Sequence, residues 1–462
     1  MTAIYSLAQS RAAENASGRS LSDLVRASAG AVEQAVREEL GDGDRVLLLV
    51  GPGYNGVDAL VAGAALAAQG RQVSAWQAMG SVVADAWSAF QDAGGQEVST
   101  EGLPDAVKQA DLVVDGVFGQ GSRPGLPEPV AAAADLCRQA GARVLAVDLP
   151  TGLTPDTTGP TGATFTAART VALGYFSACH LLGAAGLRCG TVTEAPMPIE
   201  LGEASIVAWS ADQVAAVWPR PPEDDRPAGR VGIDAGSPDQ PGAAVLACAG
   251  ALYAGAGLVR YLGPAPVSDQ LLAELPSVTC QDGPVEAWLA GTGWGDLDDG
   301  PARLQMALDS GLPLVLDDAA GEYLNQHLGR PDVILVATWA TLAGLLRTSV
   351  DQVQVNAPAA ARRAAGELGV TVLLKGSPVC VASPRTSQVQ VPVPGPAWTR
   401  PAGSDDVLAG TCAALLANGV ESETAAVLAA SLQSLAGLRH PGPWPAGEAV
   451  RLFPATVAGL VG

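Results

Sequence analysis

The feature that most constrains this chain is a repeated one: a short, wholly apolar run that stops abruptly on glycine or aspartate. Arg45–Val50 (RVLLLV) runs into Gly51-Pro52-Gly53-Tyr54-Asn55-Gly56, Leu112–Val114 ends on Asp115, and Val144–Val147 ends on Asp148. Runs without polar alternation are buried on both faces, as strands of a parallel sheet are. The amphipathic residues 20–40 before the first run and an alanine-rich segment from about Asp58 to Ala68 after it read as helices, and Gln72–Trp76 reads as a further strand. Strands alternating with helices predict a parallel sheet with helices on both faces. The turns at 51–58, 115–125 and 148–152 then share the carboxyl edge of the sheet, where open α/β sheets bind ligands.

A second series follows the proline-rich break at 219–227. Val231–Asp234, Leu258–Leu262, Trp288–Ala290, Leu314–Leu316, Val333–Val336 and Val370–Leu374 read as strands. Gly242–Ala256, 404–418 and 422–438 read as helices rich in small residues. The chain of 462 residues thus divides into two α/β domains, 1–203 and 204–462, the boundary preceding the prolines because 205–218 go with the second series.

Composition narrows the partners. Apolar residues make up 48% and charged residues 16%, enough for two cores and too apolar for disorder. The net charge of −21 argues against nucleic acid or an anionic membrane as partner. Only Lys108 and Lys375 are lysines among 26 basic residues, which reads as a codon bias toward arginine. The seven cysteines, mostly in apolar stretches and without CxxC or zinc spacing, read as buried thiols of a reducing compartment. No signal-peptide pattern and no spanning segment is visible, so the expectation is a soluble, cytoplasmic protein.

Four residues of the first half stand out chemically. Asp148 and Asp115 close apolar strands, where a carboxylate can move protons, hold a ribose or bind a metal, or merely cap a turn. Asn55 and Asp58 lie at a strand-to-helix turn whose open N–H groups favour an anion, although GPGYNG by itself could be only a tight turn.

Taken together these segments resemble the NAD(P)H-hydrate epimerase domain over most of residues 1–203. The family's GxGNNGGD, VDxxxG and VDLPSG motifs are matched by Gly51–Asp58, Val114–Gly119 and Val147–Gly152 in order and spacing. The resemblance implies a Rossmann-like three-layer α/β/α fold. It implies a potassium ion held by Asn55, Asp115 and Thr151. The damaged dinucleotide would lie against Tyr54, Asn55, Gly56, Val57 and Asp58, against the loop Gly119, Gln120, Gly121, Ser122, Arg123, Pro124 and Gly125, and against Asp148. Asp148 would be the acid/base as the C6 hydroxyl of the hydrated nicotinamide changes face. Tyr54 replaces an Asn of the pattern and Val57 a Gly, whose added Cβ is expected to crowd a phosphate. Ser177 stands roughly where many relatives carry Lys. His180 is retained, either as a polar residue packed at a domain edge or as a catalytic group.

In the second half, Gly403-Ser404-Asp405-Asp406-Val407-Leu408-Ala409-Gly410 precedes a long small-residue helix, and Lys375-Gly376-Ser377 follows a strand. Such a pair can hold a phosphate on backbone N–H groups, beside a base and a cation. With Asp225 to Ser237, Gly255–Val259 and Gly291–Gly295, these segments resemble the ribokinase-like NAD(P)H-hydrate dehydratase domain often fused in this order. The resemblance implies an ADP- or ATP-dependent dehydration with Mg²⁺. Asp406 would be the base, and Lys375, Gly376, Ser377, Pro378, Val379 and Asp405 would face the nucleotide. It also implies a homo-oligomer whose partners are NAD(P)H hydrate and adenine nucleotide.

Four departures cluster at this ligand edge. Asp405 replaces a Gly of the GSGD motif, and a carboxylate about 4 Å from a phosphate would cost up to ~4 kcal/mol at an effective dielectric near 20. The TPHxGE segment stands as Ala337-Thr338-Trp339-Ala340-Thr341, DADAL stands as Asp317-Asp318-Ala319-Ala320, and a Lys is replaced around Pro227. Three readings compete: a bifunctional hydrate-repair enzyme, the same family with an inactive dehydratase half kept for structure or nucleotide binding, and a small-molecule kinase using Asp406.

Overall fold

The computed structural model describes residues 1–461 except 42, 81, 122–124, 221–228, 296–297, 322–323 and 325–326. The Lys position near Pro227 and the loop residues Ser122, Arg123 and Pro124 lie outside the described residues. The chain forms two compact units, Ala3–Ser205 and Ile206–Gly462, the latter joined by Met1–Thr2.

The first unit holds a seven-stranded, all-parallel sheet. Its order is Gln96–Val98, Gln72–Gln77, Arg45–Val50, Leu112–Gly116, Val144–Val147, Arg169–Leu173 and Thr191–Ala195. Strand order reverses between Arg45–Val50 and Leu112–Gly116, the switch point at which doubly wound sheets open a crevice. The central strand shows why the run had to be apolar throughout. Val46, Leu48 and Val50 pack with Val32, Val36 and Leu60 on one face, while Leu47 and Leu49 pack with Val113, Val130 and Phe165 on the other. Each such side chain is almost fully buried, worth about 1.5–3 kcal/mol apiece relative to exposure.

The second unit carries a mostly parallel sheet in the order Ile206–Ala208, Val389–Val391, Cys380–Ala382, Thr371–Leu374, Val333–Ala337, Leu314–Leu316, Ala287–Ala290, Arg230–Asp234 and Leu258–Tyr261. Thr371–Leu374, Cys380–Ala382 and Val389–Val391 pair antiparallel, and the last two are not among the strands expected from the sequence. Two of these strands have only three residues, too short to show a period. The small-residue helices have a packing reason. Pro241–Tyr253 and Ser404–Ala417 touch backbone to backbone: a Cβ on Gly250 would meet the Val407 carbonyl oxygen at 2.2 Å, and one on Gly410 the Ala247 oxygen at 1.9 Å. That contact seats the helix bearing Asp405 and Asp406 over the sheet. All seven cysteines are free thiols; six are buried and Cys280 is exposed. Among the described residues no helix is long and apolar enough to cross a membrane.

Candidate active sites

In the first unit a cleft of about 540 Å³ opens at the switch point. Tyr54, Asn55 and Asp58 line it from the helix that follows the central strand, Gly119, Gln120 and Gly121 from the loop after the next strand, and Asp148 from the strand beyond. Gly56, Val57 and Gly125 do not line it. The helix begins at Tyr54, a turn earlier than the alanine pattern indicated, and this decides which residues turn inward. Gly56 serves close packing instead, since a Cβ there would meet the Gly51 carbonyl oxygen at 2.1 Å. Val57, away from the lining, does not crowd the cleft. Tyr54 stands at the mouth, 60% exposed.

Asp148 is one of two non-glycine residues with positive φ among those described, at 65°. Its side chain is 4% exposed. Burial raises its pKa to about 7, Glu14 adding to the rise while hydrogen bonding toward Leu173 and Gln120 opposes it. Asp58 is buried beside it and accepts the Ser28 hydroxyl at 2.5 Å; burial and then the nearby Asp148 charge lift it to about 7, against that hydrogen bond. Two carboxylates that exchange protons near neutrality therefore face one cleft.

Asp115 lies below, fully buried. It accepts the Thr151 amide at 2.8 Å, the Thr151 hydroxyl at 2.7 Å and the Val117 amide at 3.3 Å. The Thr151 hydroxyl also receives the Phe118 amide at 2.9 Å. Desolvation still dominates and holds the Asp115 pKa at about 6. Asn55 packs against the same loop, where a Cβ on Gly119 would meet its Oδ1 at 2.4 Å, and its Nδ2 donates to the Val147 carbonyl at 2.7 Å. Asn55, Asp115 and Thr151 thus gather oxygen donors around residues 117–119, a set chemically suited to a hard monovalent cation that would offset the buried charge.

Several lining residues escaped the sequence reading: Arg11, Glu14, Leu24, Ser28, Met197 and Ile199. They come from helices and a segment far along the chain, and the one available signal was the polar pair Arg11 and Glu14 within an otherwise plain N-terminal helix.

In the second unit, Lys375 follows strand Thr371–Leu374 and is 10% exposed in its side chain. Its Nζ lies 3.1 Å from Asp405 Oδ2 and 3.8 Å from Asp317 Oδ1. The Asp405 carboxylate, whose sign looked wrong for an anion site, is therefore paired with a cation. Asp406 is half-buried; burial and the negative charges of Asp317 and Asp405 raise its pKa to about 7, with Lys375 opposing. Gly403, at φ 84°, makes the turn into the helix, and a Cβ there would meet Leu246 at 2.4 Å. Gly376 lies against the Trp339 ring, and its carbonyl accepts from Arg400 Nη1 at 2.7 Å. Ser377 is exposed, Pro378 buried, and Val379 packs partly against the core. Thr338 and Thr341, which replace the expected His and Glu, share a hydroxyl contact of 2.9 Å, and Thr338 caps the helix Trp339–Leu345.

Residues 21–179 match the family described as YjeF-related protein N-terminus, and residues 231–443 the family described as NAD(P)H-hydrate dehydratase. A bifunctional NAD(P)H-hydrate repair enzyme of Mycobacterium tuberculosis is 37% identical over 449 residues, covering 91% of this chain and 90% of that one. The corresponding enzyme of Mycobacterium leprae is 35% identical over 444 residues, covering 91% and 90%. An ADP/ATP-dependent NAD(P)H-hydrate dehydratase of Bacillus subtilis, co-crystallised with ATP and Mg²⁺, superposes with a TM-score of 0.51 at 21% identity, over 55% of this chain and 99% of that one. This last likeness shows the ribokinase-like fold of the second unit.

Proposed function

The chain belongs to the family of bifunctional NAD(P)H-hydrate repair enzymes, and from that premise we propose that it interconverts R- and S-hydrates of NAD(P)H in the first unit and dehydrates the S-hydrate in the second. The observation that carries the reading is a pair of sites, one at the end of a strand and one at the opening of a helix, each with a carboxylate poised near pH 7. Neither a kinase acting on another alcohol nor an inactive second half is better supported by the relatives.

In the first unit Asp148 is the acid/base. With a pKa of about 7 it is present in both protonation states at neutral pH, as a group that must give and take a proton requires. Asp58 and Gln120 orient the hydrated ring, and Tyr54 covers the cleft mouth. Asn55, Asp115 and Thr151 would hold potassium, whose charge would stabilise ionised Asp115 and so brace the 117–119 loop.

In the second unit an adenine nucleotide, ADP or ATP with its magnesium, lies between the Lys375–Val379 turn and the helix opening at Gly403. Asp406 takes the proton of the C6 hydroxyl as that oxygen attacks the terminal phosphorus and the shortened nucleotide leaves; the C6–O bond then breaks with loss of the C5 proton, releasing phosphate and restoring the dihydronicotinamide. Asp405 remains on Lys375 and is thereby kept from meeting the phosphate as a bare charge.

The test is recovery of NADH absorbance from a mixture of R- and S-hydrates supplied with ADP or ATP. Complete recovery is expected. Recovery of the S portion only would remove the epimerase assignment. Recovery only after an S-specific dehydratase is added would remove the dehydratase assignment.

A further inference from the structure

We infer that His180 is a positioning residue that locks the Asp148 backbone in its left-handed conformation and so aims the carboxylate into the cleft. The inference rests on the reading of Asp148 as the acid/base of the first unit.

A left-handed backbone is costly for a residue with a Cβ, and it persists only where the surroundings over-determine it. At Asp148 three hydrogen bonds do so. Its N–H donates to the Val171 carbonyl at 2.9 Å, the following N–H of Leu149 donates back to Val147 at 2.8 Å, and its own carbonyl oxygen lies 2.6 Å from His180 Nε2. The first two bonds belong to the sheet edge and the turn. The third is the only one of them made by a side chain, and it crosses 32 positions of sequence.

The direction of that bond follows from the other ring nitrogen. His180 Nδ1 lies 3.0 Å from the Ser177 backbone N–H, which can only donate, so Nδ1 carries a lone pair. The single proton of the neutral ring is therefore on Nε2 and points at a carbonyl that can only accept. The Ser177 hydroxyl, 3.1 Å from Nδ1, reinforces the same tautomer by donating as well. His180 is 3% exposed and Ser177 1%, so water does not compete for either contact. Burial lowers the His180 pKa to about 4, and the ring stays neutral over the working range. His180 does not line the cleft and touches no reacting atom; it acts through Asp148.

Two substitutions separate this role from general packing. In His180→Gln the amide nitrogen can replace Nε2–H as donor to Asp148; in His180→Leu nothing can. His180→Leu is expected to lower kcat for hydrate epimerisation about 10- to 100-fold, as small misplacements of catalytic groups do, while KM holds within about 2-fold. His180→Gln is expected to stay within about 3-fold of the parent kcat. Parental kcat in folded His180→Leu, or equal loss in both variants, overturns the inference. Should His180→Leu fail to fold, ¹⁵N spectra of the unaltered chain decide, since it has three histidines only. A buried ring protonated on Nε2 and unchanged between about pH 5.5 and 8 is expected, and protonation on Nδ1 overturns the inference. Asp148→Asn is run in parallel. Retained activity there defeats the acid/base reading itself, whereas an inactive Asp148→Asn beside a fully active His180→Leu defeats only the positioning role.

Discussion

The two sites answer the same electrostatic problem differently. In the first unit Asp58, Asp115 and Asp148 are buried, and among the described residues hydrogen-bond donors rather than a paired cation meet two of them: Ser28 on Asp58, Thr151 and Val117 on Asp115. In the second unit Asp317, Asp405 and Asp406 gather around Lys375, one of two lysines in the chain. At both sites burial is what holds a carboxylate's pKa high; neutral donors oppose that rise in the first unit and the Lys375 ammonium opposes it at Asp406 in the second. The comparison explains why substitutions at the two sites have unequal consequences. Tyr54 and Val57 in the first unit fall at the mouth or outside the lining, so the buried donors are untouched. Asp405 in the second adds a charge at the centre, and the structure absorbs it by pairing it with Lys375.

Neutralising each proposed base in turn separates the two sites most strongly. Asp148→Asn is expected to lower interconversion of the R- and S-hydrates by about 10²–10⁴-fold and leave S-hydrate dehydration unchanged, while Asp406→Asn does the reverse. Separate assays of each half-reaction check this; a variant that impairs both would mean that the two sites are not chemically independent.

Stability against pH should differ next. Asp58 and Asp148 have folded pKa values raised from 3.8 to about 7, so between about pH 4 and pH 7 the folded chain binds more protons than the unfolded one. Stability of the first unit therefore falls as pH rises through that window and levels off above it. Denaturant titrations across the window test the sign, and Asp148→Asn should flatten the slope.

Thr151→Val removes a hydroxyl that both donates to Asp115 and accepts from Phe118, leaving a buried carboxylate less satisfied. A loss of about 1–3 kcal/mol in the first unit is expected, read from urea unfolding. Added potassium should raise the melting temperature of the parent more than that of the variant, if the oxygen set holds the ion.

The smallest expected effect is at Asp405. Its side chain is half exposed, so its ion pair with Lys375 is screened by solvent and worth about 0–1 kcal/mol. Asp405→Gly should tighten nucleotide binding by up to about 5-fold, the more so at low salt, measured by calorimetry. No change would mean that the Lys375 pairing already cancels the added charge.

Much of the architecture was legible because its causes are local. Arg45–Val50 is apolar at every position after Arg45, and only a strand buried on both faces asks for that. The turns at Gly51–Asn55 and at Asp148–Gly152 follow such strands directly, so their shared edge followed from the parallel topology. The strands Cys380–Ala382 and Val389–Val391 were not legible, because three residues carry no period and their antiparallel pairing depends on a turn between them. Nor could the alanine-rich helix be seen to begin at Tyr54, since its first turn is polar and glycine-containing and so lacks the apolar signal.

The amino-acid sequence alone set out the two α/β units, the strand-end edges that carry the candidate sites, and the carboxylates Asp148 and Asp406 that stand there, because hydrophobic periodicity and strand-end turns are set by near neighbours in the chain. Only the tertiary structure decided that Ser28 would meet Asp58, that Lys375 would take up Asp405, and that His180 would hold the Asp148 carbonyl. Those pairs lie 30 to 32 residues apart. Their contact depends on how helices pack on a twisted sheet, and the shifts in proton affinity that suit the carboxylates to chemistry arise from the burial that this packing imposes.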